Sequence, residues 1–361
     1  MEIVAASTPR AAAPLTLSEF EFPLPPELIA QVPAERRDAA QLLGLDRRTA
    51  EVTHTQVSAL PELLQPGDLL VVNDTRVIPA RLFGRVASGG AVELLLIRPS
   101  AAPQDGETWL CLGKPARRLR IGATLMMAGS VRATVTAVHR EGRYDVTFET
   151  PAGVRTLLEQ HGEIPLPPYI RRPDGPLPLD GDRYQTVFAA APGAIAAPTA
   201  GLHFTPGLLE ALKARAIHIA AVTLHVGPGT FLPVRSGDVR RHIMDPEWCE
   251  ISTTTAAAIQ DAKAVGRRVV AVGTTTTRAL ESAAAPDGGI QPGVRWADGF
   301  IVPGYRFRVI DALFTNFHLP GSTLLLLVSA FAGRERILDA YTEAIRRRYR
   351  FYSYGDAMLI Q

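Results

Sequence analysis

Short apolar runs broken by polar stops organise the chain before anything else is known of it. In LLGLDRRTAEV (42–52) the polar centre Asp46-Arg47-Arg48-Thr49 separates two apolar segments and predicts a turn between two short strands. DLLVV (68–72) reads as a buried strand whose end delivers Asn73 and Asp74. From Pro79 to about Thr150, AVELLLIRP, TWLCLGKP, VRATVTAVH and YDVTFET are β-rich segments separated by Gly, Pro, Asp and Ser. No helical period interrupts them, so a small antiparallel barrel or sandwich is expected. After Pro151 strands alternate with helices. Thr205-Pro206 caps LLEALKARA, and IHIAAVTLHV ends in Gly227-Pro228-Gly229. A helix over Thr255–Val265 stops at Gly266, and the strand RRVVAV (267–272) leads through Gly273 and four threonines into RALESA. Such alternation predicts an α/β layer on a mainly parallel sheet. Arg334–Arg348 has an amphipathic helical pattern, and the tail FYSYGDAMLIQ is expected to pack into the fold.

A length of 361 residues calls for two domains, or one large domain with an insertion. With 47% hydrophobic residues, 20% charged residues and a net charge of +2, the chain is an ordinary globular one, not a nucleic-acid coat. Only three of its 38 basic residues are lysines (Lys114, Lys213, Lys263). Codon bias explains that skew better than function does, yet Arg171-Arg172 and Arg346-Arg347-Arg348 present guanidinium forks suited to an RNA backbone. Cys111 and Cys249 are too few for a disulfide framework, which fits a reducing cytoplasm. The longest apolar run, Leu324–Ala332, is far short of the roughly 20 residues a spanning helix needs, so no membrane partner is expected. Residues 1–14 read as a disordered leader.

Four stretches put polar residues at the carboxyl ends of predicted strands, where open α/β sheets bind ligands: 73–76, 225–230, 273–278 and 316–318. GTTTTR (273–278) combines a glycine with a helix N-terminus and suits a carboxylate or phosphate, although a threonine that merely caps the helix explains it equally. His225 in HVGPGTF and His203 in APTAGLHFT bring groups that titrate near neutrality to tight turns, and each is as readily structural. The scattered histidines give no metal spacing, and no GxSxG elbow marks a serine hydrolase.

NDTRVIPARL (73–82), GEIPLPPYI (162–170), DRYQTVFA (182–189), AAPTAGLHFT (196–205), HVGPGTF (225–231), VGTTTTRALES (272–282), TNFHLP (315–320) and YRFYSYGDAMLI (349–360) together resemble the signature blocks of the tRNA ribosyltransferase-isomerase family of queuosine biosynthesis. They recur in family order over nearly everything after the leader. The resemblance implies an α/β catalytic domain (15–78 and 151–361) into which a small β-barrel domain (79–150) is inserted. It also implies the reaction: the ribosyl unit of S-adenosylmethionine passes to 7-aminomethyl-7-deazaguanine at the tRNA wobble position, giving epoxyqueuosine as adenine and methionine leave. S-adenosylmethionine is then a substrate, no further cofactor or metal is expected, and the partner is the tRNA anticodon stem-loop, met by a monomer. The chain departs from the family at Asp245, usually His, and at Gly321, usually basic.

That chemistry needs a base for the 5′ proton beside the sulfonium and an acid for departing adenine. His203 and His225 are the acid/base candidates, with Asp74 as base or sulfonium partner and His318 and Glu163 in reserve. Gly273, Thr274 and Thr275 suit the methionine carboxylate, and Arg76, Arg171, Arg172 and Arg278 suit phosphate or carboxylate. Asp356, Tyr352 and Tyr354 suit the sulfonium. Asn73, Thr199, Gly227, Thr230 and Asn316 complete the expected contacts, and Tyr169, Tyr184 and Phe188 are candidates for stacking on the extruded base. The competing functions are a tRNA-binding protein without catalysis and a methyltransferase, the latter without the usual glycine-rich first loop.

Overall fold

A computed structural model describes residues 14–100, 107–173, 175–231, 237–286 and 289–361, without the side chains of Thr230 and Phe231. The expected leader therefore lies, but for Pro14, outside the described residues.

Seventeen strands form among these residues. The first four are β1 (Gln41–Leu45), β2 (Val52–Gln56), β3 (Leu69–Asn73) and β4 (Thr75–Val77). Next come β5 (Arg81–Val86), β6 (Ala91–Pro99), β7 (Glu107–Lys114), β8 (Thr124–Met127), β9 (Arg132–Val138) and β10 (Arg143–Glu149). The rest are β11 (Ala191–Ala194), β12 (His218–Leu224), β13 (Glu247–Ile251), β14 (Val269–Val272), β15 (Gly293–Ala297), β16 (Ala312–Asn316) and β17 (Ala357–Ile360). The longer helices are α1 (Val154–His161), α2 (Pro206–Ala214), α3 (Thr253–Ala264), α4 (Thr274–Ser282), α5 (Thr323–Ala332) and α6 (Arg334–Arg346).

Nine strands make one sheet in the order β15-β13-β12-β3-β14-β16-β17-β1-β2. Its centre, β12-β3-β14-β16, is parallel, as the helix-strand alternation predicts. β3, β14 and β16 are buried throughout and read as unbroken apolar runs because helices cover both faces. Antiparallel partners extend both flanks: β13 and β15 beyond β12, and β17 against β16. The predicted hairpin at 42–52 is β1-β2 on the far margin, and the C-terminal tail threads between β16 and β1. One core layer packs α3 through α6 against the sheet, and the other packs α2. The Thr205 hydroxyl caps α2 by accepting from the Leu208 N–H at 3.0 Å.

The β-rich stretch is a closed six-stranded antiparallel barrel, β10-β7-β6-β5-β8-β9. Two of its strands, RLFGRV and TLMM, do not stand out in the sequence because each is short and flanked by turn residues. α1 buries Val154, Leu157 and Leu158 in the barrel core, so this hydrophobic unit runs past Thr150 to His161.

Candidate active site

Because β12, β3, β14 and β16 are parallel, their carboxyl ends share one end of the sheet. β17 runs antiparallel to β16 and starts there, with Ala357 opposite Asn316. A cleft opens at this end between Gly273–Thr275, Thr315–Leu319, Tyr352–Ser353, Thr199 and Tyr169, closed on one side by Val226. Gly273 adopts φ +92°, a conformation glycine takes without strain, and α4 starts beside the cleft with no side-chain cap. The Thr276 and Thr277 hydroxyls turn back onto the Val272 and Gly273 carbonyls (2.6 and 3.1 Å), while Thr274 and Thr275 line the cleft. The first turn of α4 thus offers N–H groups to an anion. Tyr169 meets Tyr352 edge-on with ring centroids 3.9 Å apart, an aromatic pair suited to a cation.

Tyr352 holds φ +76°, a strained conformation for a bulky side chain that costs about 1–3 kcal/mol. Its N–H donates to the Phe317 carbonyl (3.0 Å), and its carbonyl accepts from Asn316 Nδ2 (3.0 Å). The same amide lies 3.2 Å from His203 Nε2. Burial, reinforced by Arg350, depresses the His203 pKa to about 4. His203 is therefore a neutral acceptor that orients Asn316. Asn316 Oδ1 is left buried in the cleft lining with no partner among the described residues, ready for a substrate hydroxyl or amino group. Asn316→Ala is expected to cost about 1–3 kcal/mol of ligand binding in this cleft, on the order of 10-fold in Kd, through the lost acceptor and the released Tyr352 backbone, as ligand titration would measure.

A second, wider cleft adjoins across Val226, between the barrel and the margin of the sheet. His225 enters it from the end of β12. Its Nδ1 is 2.8 Å from Thr75 Oγ1, its ring stacks on Trp248 at 4.8 Å and 16°, and a Cβ on Gly193 would lie 2.5 Å from its Nε2. Burial, with Arg155 adding to it, lowers its pKa to about 4, so the imidazole is an unprotonated base at neutral pH. The neighbouring Gly227 N–H donates to Glu247 at 2.9 Å, and Glu247 is ion-paired with Arg278, whose guanidinium also donates to the Ala297 carbonyl. Arg143 of the barrel pairs with Asp245, so the first family departure bridges barrel and sheet. Gly321, the second, adopts φ +62° in the turn before α5.

Of the residues expected to act, the structure brings Thr199, Gly273, Thr274, Thr275, Asn316, His318 and Tyr352 to the first cleft, together with Tyr169 from the expected base-stacking set, and His225 and Gly227 to the second. His203 supports the first from behind. The others serve elsewhere. The Asn73 amide bonds both main-chain groups of Leu224. Asp74 accepts from Thr223 Oγ1 (2.6 Å) outside both clefts, its pKa raised by burial. Arg76 donates to the Ala189 carbonyl, and Arg172 forks onto Asp180 at 2.8 Å on both arms. Arg171 is exposed, and Glu163 bridges Arg81 where the barrel joins. Arg278 is buried on Glu247. Tyr354 packs edge-on against Tyr184, and Asp356 accepts the Gln41 and Arg350 N–H groups. Phe188 packs on Phe204. The Thr230 side chain lies outside the described residues. Glu247, Trp248 and Ser353 join the site without a sequence signal, since each matters only through partners distant in the chain. Among the described residues no group of three metal-capable side chains occurs and no helix is long and apolar enough to cross a membrane.

His318, fully buried with Nε2 3.0 Å from Thr315 Oγ1, has its pKa lowered by burial to about 3. With His203, His225, His54 and His242 it makes five histidines whose folded pKa burial holds below the unfolded value of about 6.5. The unfolded chain then binds more protons below that value, so stability is expected to be full above pH 6.5 and to decline as pH falls toward 4. Thermal melts between pH 7.5 and 4.5 read this directly.

A family profile described as Queuosine biosynthesis protein matches residues 17–360. The S-adenosylmethionine:tRNA ribosyltransferase-isomerase of Citrifermentans bemidjiense is 54% identical over 95% of this chain and 99% of its own length. That of Anaeromyxobacter dehalogenans is 53% identical over 96% and 99%. The crystal structure of S-adenosylmethionine tRNA ribosyltransferase from Thermotoga maritima, 37% identical, covers 95% of this chain and all of its own, with a TM-score of 0.55.

Proposed function

The chain belongs to the queuosine biosynthesis family of S-adenosylmethionine:tRNA ribosyltransferase-isomerases, and from that premise we propose how its two clefts divide the reaction. The first cleft takes S-adenosylmethionine: its carboxylate at the start of α4, its sulfonium against Tyr169 and Tyr352, and a hydroxyl or amino group on Asn316 Oδ1. The second takes the 7-aminomethyl-7-deazaguanine nucleotide extruded from the anticodon loop. Neutral His225, at the junction, removes the 5′ proton made acidic by the sulfonium. The ribosyl carbons then rearrange onto the aminomethyl nitrogen while adenine and methionine depart. The barrel, with α1 packed into its core, forms a separate domain that supplies the far wall for RNA, and the enzyme works as a cytoplasmic monomer.

The observation that carries this division is the meeting of the loops after β14 and β16 with Thr199, Tyr169 and Tyr352 in one cleft that shares Val226 with the His225 cleft. Incubation with tRNA bearing 7-aminomethyl-7-deazaguanine and S-adenosylmethionine, read by mass spectrometry, tests it. Free adenine and methionine are expected. S-adenosylhomocysteine would mean methyl transfer, and bound tRNA without either product would mean a binding protein.

A further inference from the structure

The aromatic residues of the second cleft form a row. His225 follows β12 and stacks on Trp248 of β13. Trp248 stands directly opposite Trp296 in the antiparallel β13-β15 register, so the two indoles share one face of the sheet. The row crosses neighbouring strands, about 10 Å in all at normal strand spacing. It grows more exposed outward, and Trp296 on the edge strand is 50% exposed. From the barrel side the Arg98 guanidinium sits over the Trp296 ring, 5.6 Å from its centroid. Arg98 and Arg155 line this cleft without an ion-pair partner among the described residues, whereas the carboxylates there, Asp245 and Glu247, are paired to Arg143 and Arg278. The free charge of the cleft is therefore positive. A half-exposed indole beside a guanidinium offers a platform for a flat π-face accompanied by phosphate.

We propose that Trp296 and Arg98 form a stacking platform for an unpaired nucleobase adjoining the reactive one, with Arg98 and Arg155 meeting the connecting phosphates. The proposal rests on the assignment of the second cleft to RNA. It extends recognition from one base to its neighbour: the row starts at the base beside His225 and ends, two strands away, under the next. Such a platform is tolerant of base identity, because every base has a π-face, and it binds unpaired loops in preference to duplex.

Direct titration with an anticodon stem-loop RNA bearing 7-aminomethyl-7-deazaguanine at the wobble position tests it, using loops that are intact or carry an abasic site at each position flanking that base. Trp296→Ala is expected to weaken binding of the intact loop about 5- to 150-fold, the span of base-aromatic stacking. Trp296→Phe retains most of the affinity, and the donor Kd is unchanged. One flanking abasic site should weaken the wild type comparably and add little to Trp296→Ala. Equal affinity of Trp296→Ala and wild type for the intact loop would overturn the platform, as would an abasic penalty undiminished in the variant. If the wild type binds the loop but releases no adenine with donor, the enzymatic assignment fails, while the same titrations still decide the platform. A wild type that does not bind the loop overturns both.

Discussion

Replacing His225 with Gln is expected to slow adenine release at saturating donor and RNA by about 100- to 10,000-fold, the span of a positioned general base. Gln keeps a polar group of similar reach near Thr75 and Trp248 but cannot take a proton. Donor KM should move little, because the donor sits on the far side of Val226. The pH profile carries a second signature. A base whose pKa is held near 4 by burial and Arg155 stays unprotonated down to that pH, so activity should persist well below the ordinary histidine range and fall only as pH approaches 4. An acid limb near 6.5, or near-normal turnover in His225→Gln, removes His225 from the base role without touching family membership. Steady-state rates between pH 4.5 and 8, over the range in which the fold survives, are the measurement.

The second large effect is on stability. Glu247 and Arg278 are both almost fully buried and ion-paired, and they tie Gly227, α4 and the edge strand β15 together. Glu247→Ala leaves a buried guanidinium without its charge partner and is expected to cost about 3–5 kcal/mol, as breaking a buried pair does. Replacing both partners with apolar residues of similar volume, Glu247→Met with Arg278→Leu, should recover much of that loss. Turnover should stay low in the double variant, because the Gly227 N–H loses its acceptor beside His225. Chemical denaturation of the two variants and the wild type gives the comparison, and a double variant as unstable as the single one would mean that the pair is worth more than its burial costs.

What the sequence disclosed, and what it did not, follows a physical division. Strand ends are legible because DLLVV, IHIAAVTLHV and RRVVAV are apolar runs that stop at polar residues, and parallel packing then sends every stop to one end of the sheet. The cradle at Gly273 is legible for the same reason, since a glycine and a helix start are local features. Side chains whose roles are set by distant partners are not. Arg278 looks like an anion ligand until Glu247, 31 residues away, is folded onto it, and Asp356 looks like a sulfonium partner until Gln41 and Arg350 supply its hydrogen bonds. Arg172 is absorbed by Asp180 in the same way. The row from His225 to Trp296 depends on the register of β13 and β15, which pair across a long connection that no periodicity encodes. The backbone of Tyr352 is hidden more deeply still, because its positive φ is imposed by Asn316 and Phe317 and nothing in YSYGD announces it. Of His203 and His225, equal in the sequence, one turns out to orient an amide and the other to line the second cleft between Thr75 and Trp248.

The most direct trial of the two-cleft account is a crystal structure of the protein with a non-reactive analogue of S-adenosylmethionine. The analogue's carboxylate should lie at the first turn of α4, its sulfonium position against Tyr169 and Tyr352, and its 5′ carbon toward Val226 and His225. Density for the analogue elsewhere, for example among Arg37, Arg183 and Arg350, or in the cleft but with the 5′ carbon turned away from His225, would contradict it.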